Sequence, residues 1–238
     1  MNNHEELISS VPGRIWVRAY SVRLMGLRID ARMTVIRLAS GKLMLHSPCE
    51  ITPAVADALS SIGSVAHIVA PGNYHTLYVA SAQAAFPQAK TWICPGIERR
   101  RPDLRFDGIL GDVSPNDWAE EIDQVPVIGA RYMREVAMLH RASHTLLLVD
   151  LIENYTDATP NMTHVLRVMF RLLGMWNNPR PAPEYRMGWG NRMAVAKSLG
   201  RILLWNFDRI IVGHGDIIET AAKYKARAAW RAPLSWKV

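Results

Sequence analysis

The apolar residues of this chain come in short runs, and even the best of them, Thr145–Val149, stops at Asp150. A membrane-spanning helix needs about 20 consecutive apolar residues, so these runs must be buried as strands and helix faces within a folded core. Their order is informative. Ile15 and Val17, then Met33, Val35, Ile36 and Leu38, then Leu43-Met44-Leu45 after the turn Ser40-Gly41-Lys42, alternate with period two and predict antiparallel strands. Thr52-Pro53 opens a helix, because proline at the first turn lacks only an N–H that would be unpaired there anyway. That helix is expected to run to about Ile62 and end at Gly63, followed by a strand (Ala66–Ala70), a helix (about Thr76–Phe86) and a strand (Lys90–Cys94).

The second half uses the same materials. Arg134–His140 and His144–Val149 are two strand candidates separated by Arg141-Ala142-Ser143. Thr163–Leu173 reads as an amphipathic helix with Val165, Leu166, Met169, Leu172 and Leu173 inward and Arg167 and Arg171 outward. A proline-rich loop (Asn177–Pro183) leads to a helix, Arg192–Trp205, with Val195, Leu199, Ile202 and Leu203 inward. The strand Arg209–Val212, the turn Gly213-His214-Gly215 and a last helix from about Ile217 complete the pattern. Strand-rich halves flanked by helices predict layered sheets with helices outside, and the lone final strand argues for a single domain over residues 1–238.

With 238 residues, 49% hydrophobic and 21% charged, the chain can bury a sizeable core and is neither disordered nor fibrous. Met1–Glu6 has no basic signal-peptide start, and two cysteines, Cys49 and Cys94, cannot build a disulfide framework or a Cys₄ zinc site. A cytoplasmic protein with no membrane attachment is the expectation. The formal net charge of +7 is partly local: residues 221–238 hold Lys223, Lys225, Arg227, Arg231 and Lys237, and residues 98–105 hold a second cluster. Solvated helix ends and loops account for both, and no nucleic-acid module pattern accompanies them.

Four polar residues end or follow buried strands: His75, His140, Asp150 and His214. Loops at the carboxyl ends of strands are where α/β folds place ligands, so a shared site is expected if strand direction delivers all four to one edge. His4, His46, His67, His144 and His164 read as structural or solvent-exposed. Most of the eight tryptophans read as packing, with Trp189, flanked by Gly188 and Gly190, a candidate pocket wall for substrate.

At these positions the chain resembles the metallo-β-lactamase-fold superfamily, in a domain-of-unknown-function branch with a depleted metal motif. The resemblance spans roughly residues 30–220 and begins at Thr34–Leu38 and Gly41–Pro48. It continues through Ile68–His75, where the family carries HxHxDH. His75 matches the last His, Ala70 and Gly72 the first two, and Tyr74 the Asp. His140 looks like the next family His, Asp150 like the bridging carboxylate and His214 like the closing His.

The resemblance implies an αββα sandwich, with strands near 34–46 and 66–70 in one sheet and those near 134–149 and 209–212 in the other. It implies at most one divalent metal, bound by His75, Asp150 and His214, since the other metal pocket keeps a single ligand. Zinc leads, and the same ligands suit iron or manganese. His140 would position the water, polarise substrate or join as a fourth ligand, and Tyr74 would donate to a developing oxyanion. Three activities stand open: a mononuclear metal-dependent hydrolase of a small molecule, a metal-free binding module, and, disfavoured by the missing second metal site, nucleic-acid processing. The family's habit also raises a homodimer.

Overall fold

A computed structural model describes residues 6–235; His4, Trp236 and Lys237 lie outside the described residues. Seven strands form the first sheet in sequence order: β1 (Ile8–Val11), β2 (Ile15–Leu24), β3 (Leu27–Arg37), β4 (Leu43–His46), β5 (Val65–Ala70), β6 (Lys90–Ile93) and β7 (Gly108–Ile109). The first four are antiparallel, and β4 through β7 run parallel. The second sheet has β8 (Ile122–Pro126), β9 (Val136–His140), β10 (Thr145–Leu147) and β11 (Arg209–Ile211) in the order β11-β10-β9-β8. Here β8, β9 and β10 are antiparallel, while β11 joins β10 in parallel.

Helices cover the outer faces: α1 (Pro53–Ile62), α2 (Val79–Ala85), α3 (Ile97–Arg100), α4 (His164–Leu172), α5 (Pro183–Gly188), α6 (Arg192–Leu204), α7 (Ala222–Ala229) and α8 (Arg231–Leu234). The α1 start follows the expected chemistry: Thr52 Oγ1 accepts from Val55 N–H, Pro53 sits in the first turn, and Gly63 N–H closes on Leu59 C=O at 3.1 Å. Strand alternation then sorts side chains into layers. From β9, Val136 and Met138 face the first sheet, where they pack with Ile36, Met44 and Ile68, while Ala137 and Leu139 face α6. Met33, Val35, Leu43 and Leu45 point the other way, onto Val55 and Leu59 of α1. The order of layers is therefore helix, sheet, sheet, helix, with the expected strands in each sheet.

Several local expectations are corrected. Residues 73–78 form turns rather than the start of a helix, so α2 opens at Val79. Ile218 exchanges backbone hydrogen bonds with Ile210 instead of beginning a helix, and α7 starts only after Ala221 adopts the left-handed conformation. On α4 the buried face is Leu166 and Phe170; Val165 and Leu172 are exposed, because Tyr155 stacks on Phe170 and Arg171 lies over Trp176. The hairpin β2–β3 is longer than the alternation predicts, and β8 has no counterpart among the expected strands.

His46 ends β4 fully inside the molecule, and its Nε2 has no hydrogen-bond partner among the described residues. Burial, with His75 nearby acting in the same direction, pushes its pKa down to about 3. The unfolded imidazole titrates near 6.5, so the unfolded chain gains a proton at mildly acidic pH that the folded chain refuses. The associated stability is present above about pH 6.5 and is lost as pH falls towards 3, amounting to about 2 kcal/mol by pH 5. Denaturant unfolding at pH 7 and pH 5 should therefore show a smaller acid loss in His46→Leu than in the wild type. Equal losses would refute this assignment.

Candidate metal centre

Three parallel-type connections deliver three side chains to one edge. His75 lies in the turn after β5, Asp150 three residues beyond β10, and His214 three residues beyond β11, which runs parallel to β10. Their ligand atoms all lie within 4.8 Å of one another. His75 Nε2 is 3.2 Å and His214 Nε2 is 3.6 Å from the same oxygen, Asp150 Oδ1. All three residues are buried or nearly so.

The other nitrogen of each ring is held from behind. His214 Nδ1 donates to the Asp30 carbonyl at 3.0 Å, which fixes the tautomer and leaves Nε2 as a bare lone pair facing Asp150. His75 Nδ1 is 2.7 Å from Ser47 Oγ, and Ser47 sits at the end of β4 in a left-handed conformation. Ligating histidines are oriented by such partners in metal sites. Neutral His75 meets the carboxylate as an Nε2–H donor when Ser47 Oγ–H donates to its Nδ1, whereas the His214 lone pair facing the same oxygen at 3.6 Å calls for a cation between them. The donor set fits one divalent ion: two neutral nitrogens and one negative oxygen, which leaves room for water.

Electrostatics agree with that need. Burial disfavours the charged form of each group, yet His75 is held above its ordinary range because Asp150 outweighs burial. Asp150 is held below the carboxylate range, burial being overcome by His75 and His214. His214 is held low by burial, with Asp150 opposing.

The glycines around His214 are required by contact. A Cβ on Gly213 would lie 2.9 Å from Val149 Cα and 3.1 Å from His75 Cε1, and one on Gly215, where φ is +82°, would meet Asn154 C=O at 2.0 Å. Arg32, half-buried beneath, donates to the carbonyls of Val212 and Gly215, so the His214 turn is clamped from both sides.

His140 is not part of this cluster. The strands β9 and β10 are antiparallel with His140 opposite Thr145, so the carboxyl end of β9 lies at the edge away from Asp150. His140 Nδ1 instead meets Ser143 Oγ at 2.7 Å, and burial, with Arg14 nearby, pushes its pKa down to about 4. Tyr74 precedes His75 but is half exposed, with its ring under the Arg100 guanidinium at 4.7 Å. Trp189 follows α5, packs on the buried Tyr185 at 5.0 Å between ring centroids and borders the core cluster against α6.

Glu135, absent from the expected set, supports the site from behind. It is fully buried one residue before β9, and its carboxylate accepts from the N–H groups of Val149 (2.7 Å), Asp150 (2.9 Å) and Leu151 (2.8 Å). Burial and then Asp150 push its pKa up to about 7. The hairpin register carries the signal: with His140 opposite Thr145, Glu135 falls opposite Asp150.

Comparison with known proteins places the fold. No curated protein matches the chain. Solved structures match over nearly its whole length. They include DIM-1 metallo-β-lactamase exposed to ceftazidime (10% identity, TM-score 0.65, 95% of this chain and 96% of that one). A second is FIM-1 from Pseudomonas aeruginosa in a mono-zinc form (8%, 0.63, 97% and 98%). A third is a metallo-β-lactamase from Erythrobacter litoralis (12%, 0.64, 98% and 96%). Identities this low speak for the fold alone. A family described as a domain of unknown function, DUF4336, matches residues 12–189. This chain therefore belongs to the DUF4336 family and carries the metallo-β-lactamase fold.

Proposed function

We propose that the chain, acting as one unit over all 238 residues, is a hydrolase of small molecules that binds a single divalent metal ion through His75, Asp150 and His214. The observation that carries this reading is the convergence of two oriented imidazole nitrogens on one buried carboxylate oxygen, on a fold whose solved members include a mono-zinc form. When bound, such an ion supplies a water acidic enough to be hydroxide near neutral pH. Zinc suits the donor set best, with iron and manganese as the next choices.

The chain's own residues do the rest. Ser47 and the Asp30 carbonyl orient the two rings, Asp150 supplies the negative charge, and Glu135 fixes the backbone that carries Asp150. Tyr74, beside His75, is the side chain we assign to hydrogen-bond a developing oxyanion. Cys49 and Cys94 are buried and form no disulfide, which suits a reducing compartment, and we read the protein as cytoplasmic. No helix among the described residues is long and apolar enough to cross a membrane.

Elemental analysis of the purified protein tests the proposal. Close to one transition-metal ion per chain is expected after growth with zinc, iron and manganese, and stoichiometric absence would overturn it. A second reading would then hold, in which a proton on His75 takes the place of the metal and the fold serves as a binding module. The direct contact between His75 and Asp150, and the raised basicity of His75, favour that alternative.

A further inference from the structure

The loop carrying His75 is tied to a second loop that brings arginines to the same edge. Asn73 makes three bonds to it: its N–H donates to Arg134 C=O (3.0 Å), its Nδ2 to Tyr132 C=O (2.9 Å), and its Oδ1 accepts from Arg134 N–H (2.8 Å). The Arg134 backbone therefore sits at a fixed place beside Gly72 and the His75 ring. Its guanidinium lies over Gly96, just past the end of β6, where a Cβ would meet Nη1 at 2.6 Å. Arg100, on α3 next to Gly96, covers the exposed ring of Tyr74.

Neither Arg134 nor Arg100 has a carboxylate partner among the described residues, whereas Arg101, Arg141, Arg171, Arg201 and Arg209 are each paired with one. Glu98, the acid of α3, folds back onto Gly96 N–H at 2.6 Å and pairs with Arg99. Two guanidinium groups thus stand unneutralised on a rim whose geometry is fixed by the same loops that set His75. Guanidinium groups bind carboxylate and phosphate oxygens through paired N–H donors.

We infer that Arg134 and Arg100 form an oxyanion subsite, and that the substrate of the neighbouring centre carries a carboxylate or phosphate group that docks there beside Tyr74. The identification of that ligand as a substrate rests on the hydrolase reading; the subsite itself does not.

Calorimetric titration of the full-length protein with phenyl phosphate, benzoate and the neutral benzyl alcohol tests the inference. Both anions should bind, more weakly at high salt, and benzyl alcohol should bind at least about tenfold less tightly. Arg134→Gln and Arg100→Gln should each weaken anion binding about tenfold, and Arg99→Gln, whose side chain is almost wholly exposed, should not. The tighter of the two anions identifies the headgroup. Asp150→Asn separates the two readings: anion binding that survives it belongs to the arginines, and anion binding lost with it belongs to the metal ligands and overturns the inference. Wild-type affinity in both arginine variants would overturn it equally. Arginine-dependent anion binding by a protein that takes up no metal would refute the hydrolase while leaving the subsite standing.

Discussion

Asp150→Asn is expected to bring metal content from near one ion per chain to near zero, while His140→Ala retains the wild-type content. Asp150 contributes the only negative charge among the three converging ligand atoms, and both histidines meet that carboxylate at a single oxygen. Asparagine keeps the shape but offers a neutral oxygen, so the ion would give up its water for three uncharged ligands. The backbone is not at risk, because Glu135 holds residue 150 through its N–H and not its side chain. His140, at the far edge against Ser143, touches none of this. Elemental analysis after desalting, with circular dichroism to confirm folding, reads both variants. Metal retained in Asp150→Asn, or lost equally in His140→Ala, would show that the ion sits elsewhere.

The difference between His140 and the other three candidates shows where sequence reasoning reached and where it stopped. His75 and His214 follow strands that run parallel to their neighbours, so the end of the apolar run marks the shared edge. Asp150 lies on the same edge because β10 runs parallel to β11. His140 also ends an apolar run, but Arg141–Ser143 is too short to be anything except a hairpin turn, which reverses direction. Counting from that turn places Asp150 opposite Glu135, a fact available in the sequence but visible only once the two runs are treated as one hairpin. The layer order and sheet membership were legible because alternation and helix period are local. The face of α4 was not, since Leu166 and Phe170 pack on Tyr155 and on Ile29 of β3, which come from different segments. Ser47 and Asp30 were invisible for the same reason: nothing local marks a hydroxyl or a carbonyl as the group behind a histidine ring.

Glu135→Ala should be the most destabilising single change at this site, costing about 3–5 kcal/mol. Truncation leaves the N–H groups of Val149, Asp150 and Leu151 buried without an acceptor, and each orphaned group costs about 1–3 kcal/mol. Removing a carboxylate from a dry site returns part of that, because burial already pushes its pKa up to about 7. The balance remains unfavourable, since one acceptor group serves three donors at once in a segment where all three residues are buried. Set against a typical stability of about 5–15 kcal/mol, the variant stands near the limit of folding. Glu135→Gln keeps one oxygen, able to serve part of the three, but turns an NH₂ group towards the remainder, so it should lose roughly half as much. Denaturant unfolding of the wild type and both variants measures the series, and metal content of the folded glutamine variant shows whether a loosened backbone at residue 150 also disperses the ligands. A loss below about 1 kcal/mol in Glu135→Ala would mean that the 149–151 segment finds other acceptors, and that the carboxylate is held there for the chemistry of the site and not for its architecture.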